Sequence, residues 1–263
     1  MRFKDKVVFV TGGSRGLGKA LVSAFLKEGA IVGTNGRDKG RLEALKNEYA
    51  EKGNLVVYEG DISDYQRIEE ISEDFAGRHG RVDVLINNAA VINPILPSEK
   101  LKKEDFERVI DVNIKGTFYV TYHFGKKMLE RKRGRIINIA SQAALFGEKG
   151  FLPYAVSKAA IISMTRILGY EWAQKGVTVC ALAPGFIKGG MNESLIKREI
   201  FVDFLSKRTP LGRMAEIHEF VSLVLFLASE EAQYINGETI VLDGGMTGYT
   251  GQPFLDFLES LKK

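Results

Sequence analysis

Tyr154 and Lys158 stand four residues apart in a stretch with helical patterning, so both side chains leave one face of the helix. A free phenol, with a pKa of about 10, keeps its proton near neutrality. An ammonium close by favours the phenolate, and such a pair can pass a proton to or from a substrate oxygen. Surface Tyr–Lys pairs are common, but Ser141 falls just beyond the expected end of a strand, where ligands of open parallel sheets bind. A second chemical signal is Thr11-Gly12-Gly13-Ser14-Arg15-Gly16-Leu17-Gly18. Glycines at 12, 16 and 18 let the backbone turn tightly and approach a ligand, and the N–H groups opening the next helix suit a pyrophosphate. His79, His123 and His218 are scattered, without ligand spacing, and Cys180 is the single cysteine, so neither a metal site nor an internal disulfide is expected.

The elements that must position these residues alternate along the chain. Strands are expected at Val7–Val10, Ala30–Asn35, Leu55–Glu59, Val82–Asn87, Arg135–Ile139, Val177–Ala183 and Thr239–Leu242. Most are apolar on both faces, as parallel strands covered by helices must be. Helical patterns fall at 16–28, 38–52, 64–78, 104–131, 154–174, 192–206 and 215–229. Alternation of this kind implies right-handed crossovers and a doubly wound α/β sheet of about seven strands. No linker or repeat divides the 263 residues, so one domain is expected.

Composition narrows the function classes. The chain is 45% hydrophobic and 27% charged with a formal net charge of +4, which excludes intrinsic disorder. No apolar run reaches the ~18 residues of a membrane span, and the basic start leads into an apolar run too short for a signal peptide. The cytoplasm is the expected location, with no membrane and no nucleic acid as partner.

Taken together, the glycine turn, Asn87-Asn88-Ala89-Ala90, Tyr154-Ala155-Val156-Ser157-Lys158 and Pro184-Gly185 resemble the short-chain dehydrogenase/reductase family over about residues 5–246. Ala90 stands where the family has glycine. Leu211-Gly212-Arg213 and the segment Tyr234 to Thr239 are similar to its 3-oxoacyl-[acyl-carrier-protein] reductase branch. The resemblance implies a single-domain Rossmann fold and hydride transfer between a nicotinamide and a carbonyl or secondary alcohol. It implies that Ser141 binds the substrate oxygen, Tyr154 exchanges the proton, Lys158 also binds the nicotinamide ribose, and Asn113 holds a water in a proton relay. A cationic nicotinamide beside Tyr154 would lower its pKa further. By the same resemblance Gly12, Ser14, Arg15, Gly16, Leu17, Gly18, Arg37, Asp61, Ile62, Asn88, Tyr154, Lys158, Pro184, Gly185 and Ile187 bind the cofactor.

Cofactor choice turns on the end of the second strand. Gly36 sits where NAD enzymes of the family carry an acidic residue, and Arg37 and Arg15 can clamp a 2′-phosphate, so NADP is expected over NAD. Asp38, two positions late, is read as a cap for the next helix. A 3-oxoacyl reductase leads, with the acyl chain free or on a carrier protein; a sugar or polyol dehydrogenase stands second. A non-catalytic NADP-sensing protein is a third reading, opposed by the intact Asn113, Ser141, Tyr154 and Lys158.

Residues 186–214 are expected to cover the site, with Phe186, Ile187, Met191 and Leu195 as apolar contacts and Asn192 and Glu193 as polar ones. Gly189-Gly190 reads as a lid hinge or a plain turn. Residues 126–135 hold Lys126, Lys127, Arg131, Lys132, Arg133 and Arg135 against Glu130 alone, which reads as a carrier-protein face or a solvated helix end. In the tail, 247–263, Phe254, Phe257, Leu258 and Leu261 form one helical face, to pack on its own subunit or across an interface. A homotetramer is implied by resemblance, through the helices containing 104–131 and 154–174.

Overall fold

The structure, a computed structural model, describes residues 1–50, 54–190 and 198–248. Seven parallel strands form one sheet: β1 (Val7–Thr11), β2 (Ile31–Gly36), β3 (Leu55–Glu59), β4 (Val84–Asn87), β5 (Gly134–Ile139), β6 (Val177–Pro184) and β7 (Thr239–Leu242), in the order β3-β2-β1-β4-β5-β6-β7. Between them run α1 (Gly16–Lys27), α2 (Lys39–Glu48), α3 (Tyr65–His79), α4 (Lys103–Val109), α5 (Thr117–Glu130), α6 (Leu152–Trp172), α7 (Glu199–Arg208) and α8 (Ile217–Ala228). The expected doubly wound Rossmann sheet is the one observed, with strand ends shifted by one or two residues.

β1 shows why both faces had to be apolar. Val8 and Val10 pack with Leu21 and Phe25 of α1 and Phe220 and Val224 of α8. Val7 and Phe9 turn the other way, toward Phe75 of α3 and Phe124 of α5. Phe9 meets the Phe124 ring at 4.4 Å and the Phe75 ring at 5.2 Å between centroids. Burying each such ring contributes about 1.5–3 kcal/mol. α2 begins as expected at Asp38, whose carboxylate accepts from the Arg41 N–H at 3.0 Å.

Strand order reverses beside β1, so the exits of β1 and β4 diverge and leave a crevice. The helical stretch expected at 104–131 runs without a break from Lys103 to Glu130, with one change of winding. Between α4 and α5, residues Ile110–Gly116 widen into a π-helical turn with Asn113 at its middle.

In the basic stretch 126–135, three of the six cations are ion-paired across the fold. Lys127 pairs with Glu73 at 2.7 Å, Arg131 with Asp83 at 3.7 Å, and Arg133 with Glu230 at 2.9 Å. Lys126 lies over the Tyr122 ring. Arg135 is interior, donating to the carbonyls of Leu227 and Ile235 and to Thr178 Oγ1. Acids from distant parts of the chain disperse the charge that the sequence concentrates. His123 is likewise buried on α5, and burial holds its pKa below the usual value. Among the described residues no helix is long and apolar enough to cross a membrane, and no cluster of metal-ligating side chains forms.

Candidate active site

The β1–α1 turn is shaped by what its glycines exclude. A Cβ on Gly18 would stand 2.2 Å from the Gly12 carbonyl oxygen and 2.7 Å from Asn88 Nδ2. Gly12 and Gly16 have φ of +70° and +53°, backbone that side chains rarely adopt. Arg15 precedes α1 without a side-chain cap, so the first N–H groups of that helix face the crevice unsatisfied by side chains. An anion is favoured there by those donors and by the helix dipole.

The exits of β1 and β4 are stitched together. Thr11 Oγ1 accepts from the N–H groups of Asn88 (3.0 Å) and Ala89 (2.9 Å), and Asn88 Nδ2 donates to the Thr11 carbonyl at 2.9 Å. Deeper in, Asn87 Nδ2 donates to Asn138 Oδ1 and Thr121 Oγ1, and Asn138 Nδ2 to Thr165 Oγ1. This buried polar ladder fixes β4, β5, α5 and α6 relative to one another.

A crevice of about 580 Å³ opens from this seam. Of the expected cofactor residues, Gly12, Ser14, Arg15, Gly16, Leu17, Gly18, Arg37, Asp61, Ile62 and Asn88 line it. Asn35, Gly60, Val91, Ile92 and Val112 also line it and were not singled out from sequence. Their signal was available: each lies on or just past a strand exit, or beside Asn113. Arg37 and Asp61 lie against one another, Nη1 to Oδ2 at 3.6 Å, across the end of the crevice beyond β2 and β3. Gly190 joins the wall, with its Cα 2.9 Å from where a Gly16 Cβ would stand, so the Gly189-Gly190 pair closes directly on the glycine turn.

Pro184 ends β6, and Gly185 and Ile187 follow it, beyond the lining of that crevice. Ile187 is buried and packs in the core cluster with residues of α1 and α8. The flanking backbone bonds with Ala215 hold this exit in place. Met191, Asn192, Glu193 and Leu195, and the tail residues Phe254, Phe257, Leu258 and Leu261, lie outside the described residues.

Ser141, Tyr154, Lys158 and Asn113 come together at the exits of β4 and β5. Lys158, only 4% exposed, donates from Nζ to the Ile139 carbonyl at 2.6 Å and lies 5.7 Å from the centre of the Tyr154 ring. Burial pulls its pKa down to about 8. Asn113 accepts from the Val91 N–H at 2.8 Å and donates to the Val91 carbonyl and to Ser157 Oγ. Ser157 Oγ donates in turn to the Tyr154 carbonyl at 2.7 Å. The π-helical turn thus brings Asn113 inward to tie the β4 exit to α6.

The Tyr154 hydroxyl differs from expectation in the chain alone. Burial raises its pKa, and the nearby Ser141 hydroxyl pulls the other way. The lowering expected from Lys158 is not seen, because its ammonium is directed to the Ile139 carbonyl. A protonated phenol beside a serine hydroxyl is an arrangement that can hold a carbonyl oxygen between two donors and give it a proton.

Around the entrance the chemistry changes. The segment after Ser141 meets the loop after β4: a Cβ on Gly150 would stand 2.7 Å from Ile95 Cγ2. α7 is tied to the same segment by Arg208 Nη2 and Glu148 Oε2 at 2.6 Å, and to the β6 exit by the Phe186 and Phe201 rings. Ile92, Ile95, Leu96, Leu145, Leu152 and Phe204 are exposed here.

Related proteins identify the family of the chain. A family model described as "Enoyl-(Acyl carrier protein) reductase" matches residues 12–247. The chain is 38% identical over 248 residues to a 3-oxoacyl-[acyl-carrier-protein] reductase of Thermotoga maritima, covering 94% of this chain and 99% of that protein. It is 32% identical to a gluconate 5-dehydrogenase of Gluconobacter oxydans, covering 90% and 93%. Among solved structures, a gluconate 5-dehydrogenase of Burkholderia cenocepacia in complex with NADP and tartrate superimposes with a TM-score of 0.89 at 29% identity, covering 95% of this chain and 98% of that one. With this sheet order, this glycine turn and relatives matched over nearly their whole length, the chain belongs to the short-chain dehydrogenase/reductase family and is an oxidoreductase.

Proposed function

We propose that the protein reduces a ketone on an apolar chain, a 3-oxoacyl thioester or a close analogue, with NADPH. The observation that carries the choice of substrate is the entrance: Ile92, Ile95, Leu96, Leu145, Leu152 and Phe204 offer an acyl chain apolar surface that is otherwise left in water. The bound nicotinamide supplies the hydride. Ser141 and Tyr154 hold the carbonyl oxygen, and Tyr154 gives it the proton as the carbonyl becomes a secondary alcohol. A Tyr154 pKa raised by burial keeps that proton in place at neutral pH, which suits reduction. Lys158 stabilises the phenolate left behind and reaches the nicotinamide ribose, while Asn113 anchors the relay that returns the proton.

NADP is preferred over NAD. Gly36 leaves room at the ribose, and Arg37 and Arg15 line the crevice where a 2′-phosphate would lie. The solved relative that carries NADP supports this reading. Gluconate oxidation is the rival, favoured by likeness to gluconate dehydrogenases. A polyhydroxy acid would set its hydroxyls against the apolar entrance, which disfavours it.

The working unit is a cytoplasmic homotetramer in this reading. Phe118 and Tyr122 on α5, and Ile167 and Tyr170 on α6, stand exposed on the helices expected to pair.

The test is a substrate panel with NADPH and NADH: 3-oxoacyl thioesters of rising chain length, an enoyl thioester, gluconate, polyols and quinones. Each methylene buried at the entrance contributes about 0.8 kcal/mol, so kcat/KM should rise about fourfold per added CH2 until the entrance is filled. Preference for gluconate with NADP+, with no response to chain length, would overturn the proposal. Absence of turnover with every substrate despite tight NADPH binding would favour the sensing protein.

A further inference from the structure

The first turn of α6, which carries Tyr154, lacks a cap of its own. Phe151 at the N-cap position has no side-chain oxygen to offer, and Pro153 has no N–H. The N–H of Tyr154 itself remains, one of the orphan donors that open every helix. It donates at 3.3 Å to Oδ1 of Asn93, a residue 61 positions earlier in the chain. Asn93 is 4% exposed. Its Nδ2 donates to the carbonyls of Pro94 (2.6 Å) and Gly150 (2.9 Å). One carboxamide therefore closes three bonds: to the helix of Tyr154, to its own loop after β4, and to the turn at Gly150, whose φ is +85°.

We propose that Asn93 is a positioning residue for Tyr154. It supplies from a distance the cap that α6 lacks, and it clamps the two loops on either side of the Tyr154 turn. Ser157 Oγ holds the carbonyl of Tyr154 while Asn93 holds its N–H, so the backbone of this residue is fixed from both sides. Asn93 does not touch the reacting atoms in this account; it acts through Tyr154. The proposal rests on Tyr154 being the proton donor. A misplacement of about 1 Å in a reacting group can cost about a hundredfold in rate, which is why a remote cap matters.

The chemistry selects asparagine. The position needs one acceptor and two donors facing two carbonyls. Aspartate keeps the acceptor for the Tyr154 N–H but sets a carboxylate against the oxygens of Pro94 and Gly150. Leucine keeps the volume and supplies none of the three.

Asn93→Asp and Asn93→Leu in the full chain test the proposal by three readouts. Amide hydrogen exchange of the peptide spanning 151–157 should speed up in both, more in Asn93→Leu. NADPH affinity, from nicotinamide fluorescence, should stay within about threefold, because the glycine turn is untouched. The kcat should fall about ten- to a hundredfold, more in Asn93→Leu. In Asn93→Asp the pH limb of kcat assigned to Tyr154 should move upward, since a carboxylate beside the turn disfavours phenolate. Unchanged kcat in both variants overturns the proposal. So does joint loss of NADPH binding, turnover and exchange protection across the whole sheet, which is the result of a residue needed only for folding. Tyr154→Phe separates the two readings: if it keeps normal turnover, the proton-donor reading fails, while exchange at 151–157 still decides whether Asn93 holds the turn.

Discussion

Beneath Tyr154, Lys158 is bonded to Ile139, Asn113 to Val91 and Ser157, and Ser157 to the Tyr154 carbonyl. Around the entrance, Ile92, Ile95, Leu96, Leu145 and Leu152 present apolar side chains to solvent, and the Arg208–Glu148 pair ties α7 to the segment after Ser141. The floor is directional: each bond sets an angle and a distance, and a buried polar group left unpaired costs about 1–3 kcal/mol. The entrance is non-directional, because apolar contact rewards area and tolerates many shapes. Chemistry that must place a proton to a fraction of an ångström needs the first kind of construction. Substrate choice among chains of similar type needs only the second.

The sharpest way to break this comparison is Tyr154→Phe. It keeps the ring and removes the hydroxyl, so NADPH binding should hold while kcat falls by about 10²–10⁴ in steady-state assays. Near-normal turnover would mean that the floor does not perform the proton transfer.

Lys158 sharpens the floor side through pH. Its pKa lies near 8 in the fold, against the usual 10.5 of a lysine in water. Between those values the unfolded chain binds the extra proton, so stability rises with pH across that window. Below pH 8 both states are protonated and the burial penalty is present in full. Relative to Lys158→Met, the wild type should therefore gain about 3 kcal/mol of unfolding free energy as pH rises from below 8 to above 10.5. Denaturant titrations of both proteins at a series of pH values check this. A constant difference would show that Lys158 is not held at a lowered pKa.

The crevice beyond β2 offers the next largest effect. A Cβ on Gly36 would stand 3.1 Å from Ser14 Oγ, a contact that a small shift of the serine relieves. Gly36→Asp with Arg37→Ala adds a carboxylate at the ribose and removes a phosphate partner. A charge-assisted hydrogen bond contributes about 1.5–3 kcal/mol, so the NADP/NAD ratio of kcat/KM should fall about ten- to a hundredfold. An unchanged ratio would remove Arg37 from cofactor choice.

The smallest effect belongs to the entrance clasp. Arg208→Ala opens a half-exposed ion pair whose like contribute about 0.2–1 kcal/mol. KM should change by less than about fivefold with kcat unaltered. A large fall in kcat would mean that α7 reaches the reacting atoms.

The same contrast explains what could be read from the sequence. The glycine turn and Tyr154–Lys158 are local patterns, set by backbone reach and by one helical turn, so they were legible without the fold. The doubly wound sheet followed because alternation with helices leaves few topologies. Asn93 was invisible: its partner lies 61 residues away, and an asparagine in a loop carries no periodic signal. The π-helical turn at Asn113 was hidden because one extra residue in a helix barely disturbs a pattern of apolar positions. The acids that meet the basic stretch 126–135, Glu73, Asp83 and Glu230, were equally out of view, since they reach it only after folding.

The division between a floor that sets rate and an entrance that selects the chain is tested most directly by crossing the two. The kcat/KM for 3-oxoacyl thioesters of rising length, with NADPH, is measured in the wild type and in Tyr154→Phe. The account predicts two parallel lines, each rising about fourfold per methylene and separated by about 10²–10⁴ at every length. Lines that converge with chain length, or a wild-type line without slope, would contradict it.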